Sequence, residues 1–156
     1  MAGAQGAGEA GPWRAAPGGG RYRTFETMAD IGVEAEGPSI EAAEAAAVAG
    51  MYYIITPEAR VKPKLNREVH GESTDPALAF ARALQQLLVE FDNDGFVGAQ
   101  AQVQHAERGT PICTIQLKGE AFDPARDPPG VEIKAVTHHE LVRDVAAKRV
   151  RVIFDV

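Results

Sequence analysis

The chain has 156 residues, 45% of them hydrophobic and 24% charged, with a formal net charge of -6 and a single cysteine, Cys113. That length holds one packed domain, and the acidic balance argues against nucleic-acid binding through counterion release, which needs a basic surface. One cysteine excludes an internal disulfide and suits a reducing compartment. With no apolar run of membrane-spanning length and no basic-then-apolar leader, a cytoplasmic protein without a membrane partner is expected.

Residues 1–20, "MAGAQGAGEAGPWRAAPGGG", are almost entirely Gly, Ala and Pro with one aromatic, Trp13. Such a stretch does not offset its ordering entropy and is expected to be a flexible tail, so the folded part is read as residues 21–156. "RYRTFE" and "DIGVEAEG" alternate as strands, with Ile31, Val33 and Ala35 on one face. "PSIEAAEAAAVAGMYYIITP" reads as a helix capped by Ser39, with Glu41 at the positive end of its dipole and Pro57 beyond its close. Its alanines predict close packing on one face. "VKPKLNREVHG" is a weak strand that Pro63 confines to an edge or a short piece.

A second helix begins at Asp75 and Pro76 and carries Phe80, Leu84, Leu87, Leu88 and Phe91 at helical spacing, ending at "DNDG". A hairpin follows. Ala99, Ala101 and Val103 point inward, "RGTP" turns, and Cys113, Ile115 and Leu117 point inward again. That phase makes Cys113 a small buried apolar residue rather than a nucleophile. "KGEAFDPARDPPG" is a loop of turn formers in which Glu120 and Asp123 are ordinary carboxylates. "VEIKAVTHHELV" resumes strand character with Ile133 and Ala135 in phase, and His139 falls within it. In the last strand, "RVRVIFDV", Val150, Val152, Phe154 and Val156 share a face and Asp155 points the other way. Two helices and six or seven strands in sequence-adjacent antiparallel pairs predict a single α+β domain with a mostly antiparallel or mixed sheet.

Chemistry is sparse. The four histidines make no zinc-binding spacing, no glycine-rich phosphate loop follows a strand, and no nucleophile has an adjacent base. Asp30, directly before a strand, reads on its own as a turn or cap residue. Asp155 sits one residue from the terminal carboxylate of Val156, and two like charges that close call for a cation or for solvent. Together Asp30, Asp155 and Val156 offer only oxygen donors, a set that selects Ca²⁺ or Mg²⁺ over zinc or copper, with Ca²⁺ favoured. Sequence spacing alone does not bring Asp30 to the other two.

The blocks "FETMADIG", "KGEAFDP", "VEIKAVTHHEL" and "VIFDV", in this order and spacing, resemble the archease family over residues 21–156. The resemblance implies an archease-like α+β domain that activates a GTP-dependent RNA-splicing ligase in tRNA splicing or RNA repair. It promotes the ligase's guanylylation and repeated turnover without catalysing ligation and without specific RNA contacts of its own. It also implies a metal site at Asp30, Asp155 and Val156, bordered by Lys134, Thr137 and His139. Two positions depart from the family's "EHTADIG": Thr27 stands for histidine and Met28 for threonine. Gln85 and Gln86 stand where relatives carry Asn and Glu. A stand-alone metal-dependent hydrolase or nucleotidyl enzyme, with His139 as its acid–base group, and a chaperone-like binding module are the alternatives.

Overall fold

The period-two alternation of "RYRTFETMADIGVEAE" becomes a hairpin in the computed structural model, which describes residues 10–156. Strands β2 (Arg21–Glu26) and β3 (Asp30–Glu36) run antiparallel with Arg21 opposite Glu36 and Glu26 opposite Ile31. The C-terminal strand β9 (Arg149–Asp155) pairs with the free side of β3, from Glu36 opposite Arg149 to Asp30 opposite Asp155. Val150, Val152 and Phe154 are buried on one face of β9, and Asp155 is exposed. The core-facing parity expected for this strand therefore holds.

The tail boundary is corrected for residues 10–20. Strand β1 (Arg14–Ala15) pairs with Tyr22 and Arg21 of β2, and Ala10 bridges Phe25. The physical reason lies in Trp13. Its ring is stacked by the guanidiniums of Arg21 and Arg23, 4.3 and 4.5 Å from its centroid, contacts that repay part of the ordering entropy. Residues 1–9 of the expected tail lie outside the described residues.

"VEIKAVTHHELV" was expected to be one strand and is instead two short ones, β7 (Ala135–Val136) and β8 (Val142–Asp144), pairing with opposite ends of β9. Both use the same edge of β9, so the chain between them must leave the ladder. His139 consequently lies in a turn, not a strand. Ile133 and Val136 are the buried residues here, and Ala135 is not in phase with Ile133. This sheet has the order β1-β2-β3-β9-β7, with β8 also on β9.

A second antiparallel sheet has the order β4-β6-β5, built from β4 (Leu65–Glu72), β5 (Phe96–Arg108) and β6 (Thr110–Ala121). The edge position expected for the Pro63 segment is that of β4. Cys113, Ile115 and Leu117 are buried as the alternation predicts, and Val103 opposes Ile115. A bulge between Gly98 and Gln100 leaves Ala99 out of the ladder, as bulges insert one unpaired residue, and Ala99 still lies with Ala101 against Ala45 and Val48 of the first helix.

Helix α1 (Ile40–Ile55) starts where Ser39 Oγ accepts from the Ala42 N–H at 3.0 Å. It packs against β2, β3 and β9 of the first sheet and against β5 of the second. That position between sheets explains the alanine run: Ala43, Ala46, Ala47 and Val48 are all buried, on more than the one face expected. An all-round apolar helix is a buried helix. Helix α2 (Pro76–Asp94) is amphipathic and packs on β4 and β6. Asp75 Oδ1 accepts from the Ala77 N–H at 2.9 Å, and Gly95 ends the helix in the left-handed conformation, φ 77°. Phe80, Leu84 and Leu87 are wholly buried, each worth about 1.5–3 kcal/mol of apolar transfer. A Cβ on Gly71 would lie 2.1 Å from the Ala79 carbonyl oxygen, so β4 and α2 meet backbone to backbone there. Among the described residues no helix is long and apolar enough to cross a membrane.

The loop after β6 is tied down by Asp127, 1% exposed. Its carboxylate accepts from the N–H groups of Arg60 and Asp123, both at 3.0 Å, and from Arg126 Nη2 at 2.7 Å. The Arg126 guanidinium and then the backbone donors hold the carboxyl down at about 2. Gly130 N–H then donates to the Ile55 carbonyl at the end of α1.

Candidate metal centre

Asp30 opens β3 and Asp155 closes β9, and the register sets them directly opposite each other. Asp30 uses its main chain within the β2–β3 turn: its N–H donates to Thr27 Oγ1 at 3.1 Å and its carbonyl accepts from Thr27 N–H at 2.9 Å. The Asp155 carbonyl accepts from Lys134 N–H at 2.7 Å, on the β7 side. Both residues thus aim their peptide groups away from each other. They form a pair of the non-hydrogen-bonded kind, with Cα atoms about 4.5 Å apart and side chains on one face. The turn is closed by backbone and by Thr27, so Asp30 is a turn residue through its main chain.

Two carboxylates directly opposed on adjacent strands repel. They are also the donor chemistry that a hard divalent cation takes. On its other side Asp155 faces Ala135, whose methyl crowds it little. Val156 follows directly, its side chain packed against the core, which keeps this end of the chain at the same edge. The structure therefore brings together Asp30, Asp155 and Val156, and an all-oxygen donor set fits Ca²⁺ or Mg²⁺.

The bordering residues divide. Lys134 is joined to Asp155 through the backbone bond already described. Thr137 locks onto β9, its N–H and Oγ1 both donating to the Ile153 carbonyl, at 3.0 and 2.9 Å. His139 is exposed, and its Nε2 lies 3.2 Å from Glu140 Oε2, in the turn between β7 and β8. Asp123 is an ordinary loop carboxylate, its Oδ1 accepting from Ala125 N–H at 2.9 Å. Glu120 is not in the loop: it lies in β6, accepts from Lys62 N–H at 2.7 Å and pairs with Lys64 and Arg126.

Two features escape a sequence reading. Gln85 Oε1 accepts from Val136 N–H at 3.0 Å, so α2 holds β7 in place beside the acidic pair. The substitution noted at this position is thus a positioning contact. The other is Glu44, fully buried in α1 and bonded to His105 and Arg143. Its only sequence signal is an acid inside an otherwise apolar alanine run.

A sequence model of the archease protein family (MTH1598/TM1083) matches residues 22–156. The chain is 34% identical to the protein archease of Sulfurisphaera tokodaii over 124 residues, 78% of this chain and 86% of that one. It is 30% identical to the protein archease of Thermococcus kodakarensis over 123 residues, with the same shares covered. The solution structure of Methanobacterium thermoautotrophicum protein 1598 superposes with a TM-score of 0.72 at 25% identity, covering 86% of this chain and 98% of that one. The match begins at Tyr22, so β1 precedes it. The chain belongs to the archease family.

Proposed function

We propose that this protein is a cytoplasmic, metal-binding protein cofactor that activates a GTP-dependent RNA-splicing ligase. It promotes guanylylation and multiple turnover of that ligase in tRNA splicing or RNA repair and does not itself join RNA. Family membership supports the partner. The observation that carries the reading is the direct opposition of Asp30 and Asp155 at the edge of the first sheet. Asp30, Asp155 and the Val156 carboxylate are the proposed ligands of Ca²⁺ or Mg²⁺, with Lys134, Thr137 and His139 around them.

A divalent cation held there would supply orientation of phosphates and neutralisation of charge during nucleotidyl transfer. The chain's own part is positional. Strands β3 and β9 fix the two carboxylates by their register, Thr137 and Gln85 hold the β7 segment against them, and exposure of Asp155 presents the site outward. The net charge of -6 complements a basic, RNA-handling enzyme and speeds encounter with it.

The test is a ligation assay with purified ligase, GTP and RNA ends, with and without this protein. Many turnovers are expected with wild type, none from the protein alone, and loss of stimulation with Asp30→Ala or Asp155→Ala at unchanged circular dichroism. Stimulation that survives both substitutions would leave a binding module without metal chemistry. Ligation or hydrolysis by the isolated protein would make it an enzyme.

A further inference from the structure

Away from the acidic edge, a polar cluster lies inside the layer between α1 and the second sheet. Glu44 sits in the second turn of α1, completely buried. His105 and Cys113 are cross-strand partners on β5 and β6, so their side chains share a face. His105 Nε2 lies 2.8 and 3.0 Å from the two Glu44 carboxylate oxygens, and Arg143 Nε of β8 donates to Oε2 at 3.1 Å. Glu44 and Cys113 are fully buried, and the His105 side chain retains 18% exposure. One donor atom each from Glu44, His105 and Cys113 lie within 4.8 Å of one another.

Burying a carboxylate among an imidazole and a guanidinium is a weak source of stability, because apolar groups of similar volume usually do as well or better. A polar cluster retained in a core that is otherwise almost entirely aliphatic and aromatic calls for a use beyond packing. The donor types are one oxygen, one imidazole nitrogen and one sulfur, drawn from three elements. That mixture is the borderline-soft set that zinc takes, unlike the all-oxygen pair at Asp30 and Asp155.

We propose that Glu44, His105 and Cys113 form a zinc site that joins α1 to the β5–β6 hairpin. Donors of a tetrahedral zinc, at about 2.0–2.3 Å from the ion, lie roughly 3.3–3.8 Å apart. The cluster reaches that spacing by parting the imidazole from the carboxylate by under about an ångström and drawing the sulfur in. Arg143 stays on Oε2 and fixes the carboxylate's orientation while Oε1 turns to the metal, the role that outer hydrogen-bond partners of ligands usually play. His105 binds as the neutral ring, and the Cys113 thiol releases its proton to solvent as the Zn–S bond forms. The ion enters on the His105 side, and three protein donors leave a fourth position for water. No local sequence motif announces such a site, since its ligands are 61 and 8 residues apart. The proposal is independent of the ligase reading.

Co²⁺ replaces Zn²⁺ as a spectroscopic probe. Metal-free protein titrated with Co²⁺ is expected to develop a thiolate-to-cobalt charge-transfer band at one ion per chain, and Zn²⁺ is expected to displace it. Cys113 is the only cysteine, so the band assigns itself. Cys113→Ala should abolish the band, and both Cys113→Ala and His105→Gln, the latter at the more exposed ligand, should weaken Zn²⁺ binding at least tenfold. The Asp30→Asn, Asp155→Asn double variant should keep both properties. Wild type without a thiolate band overturns the site, as does Zn²⁺ affinity unchanged in both single variants, or Zn²⁺ binding lost in the aspartate double variant instead.

Discussion

Asp127 offers the most quantitative test of how the site's scaffold is held. In Asp127→Asn one carboxylate oxygen becomes an NH₂ group of the same size. If it faces Asp123, the oxygen that accepted from Asp123 N–H at 3.0 Å and Arg126 Nη2 at 2.7 Å is gone, and donor meets donor. If it turns over, the donors Arg60 N–H and Arg126 Nε, both at 3.0 Å, lose their partner instead. Either way a buried donor is left unpaired, costing about 1–3 kcal/mol, and of the two carboxylates paired with Arg126 only that of Glu120 remains charged. The sum is about 3 kcal/mol at neutral pH. For a chain of this length, about 2–4 °C of melting temperature per kcal/mol makes this roughly 6–12 °C.

The pH dependence fixes the sign. Asp127 has its carboxyl lowered to about 2 from 3.8 in the unfolded chain. Its charge therefore stabilises the fold fully above the unfolded value, and that contribution is lost as pH falls from about 4 to 2. Urea unfolding of wild type and variant between pH 7 and pH 2.5 should show a gap that is widest at pH 7 and narrows below pH 4. A gap of constant size across that range would refute the role of the charge. No gap at all would refute the hydrogen-bond network.

Gly71→Ala drives a methyl into the α2 backbone and should cost about 3 kcal/mol in the urea midpoint; an unchanged midpoint would mean that β4 and α2 are not in backbone contact. Gln85→Ala removes the acceptor from Val136 N–H and should speed hydrogen exchange at that amide while Val152 stays protected. Equal protection at Val136 in both proteins would remove Gln85 as its anchor. In chelator, Asp155→Asn relieves the repulsion with Asp30 and should raise the melting temperature slightly, by the 0–1 kcal/mol of a surface charge pair. In millimolar Ca²⁺ the order should reverse, since only wild type gains from binding. The same order in both buffers would count against a shared ion.

Much of the fold was legible because its signals are local. Ser39, Asp75 with Pro76, and the left-handed Gly95 mark helix ends through their own backbone chemistry, and the alternation in β6 and β9 assigned their buried faces. The misread parts depend on partners far along the chain. "VEIKAVTHHELV" has strand composition throughout, but β9 offers one edge, so only its two ends pair and His139 is left in a turn. Trp13 looked unsupported until Arg21 and Arg23 came alongside, and α1 is packed from both sides because two sheets flank it. The candidate site divides the same way. Its donors were identifiable by type, whereas the opposition of Asp30 and Asp155 is a matter of strand register, and the grouping of Glu44 with His105 and Cys113 joins three elements that no spacing links.

The central claim is that carboxylates from both ends of the folded domain share one divalent ion at the β3–β9 edge. Calorimetric titration of Ca²⁺ into wild type and into a variant carrying a short Gly-Ser extension after Val156 tests it most directly. The extension leaves Asp30 and Asp155 untouched but moves the free carboxylate away. The account predicts one ion per wild-type chain and an affinity at least tenfold weaker in the extended protein, at equal stability in chelator. Ca²⁺ binding of the same strength and stoichiometry in both would contradict it.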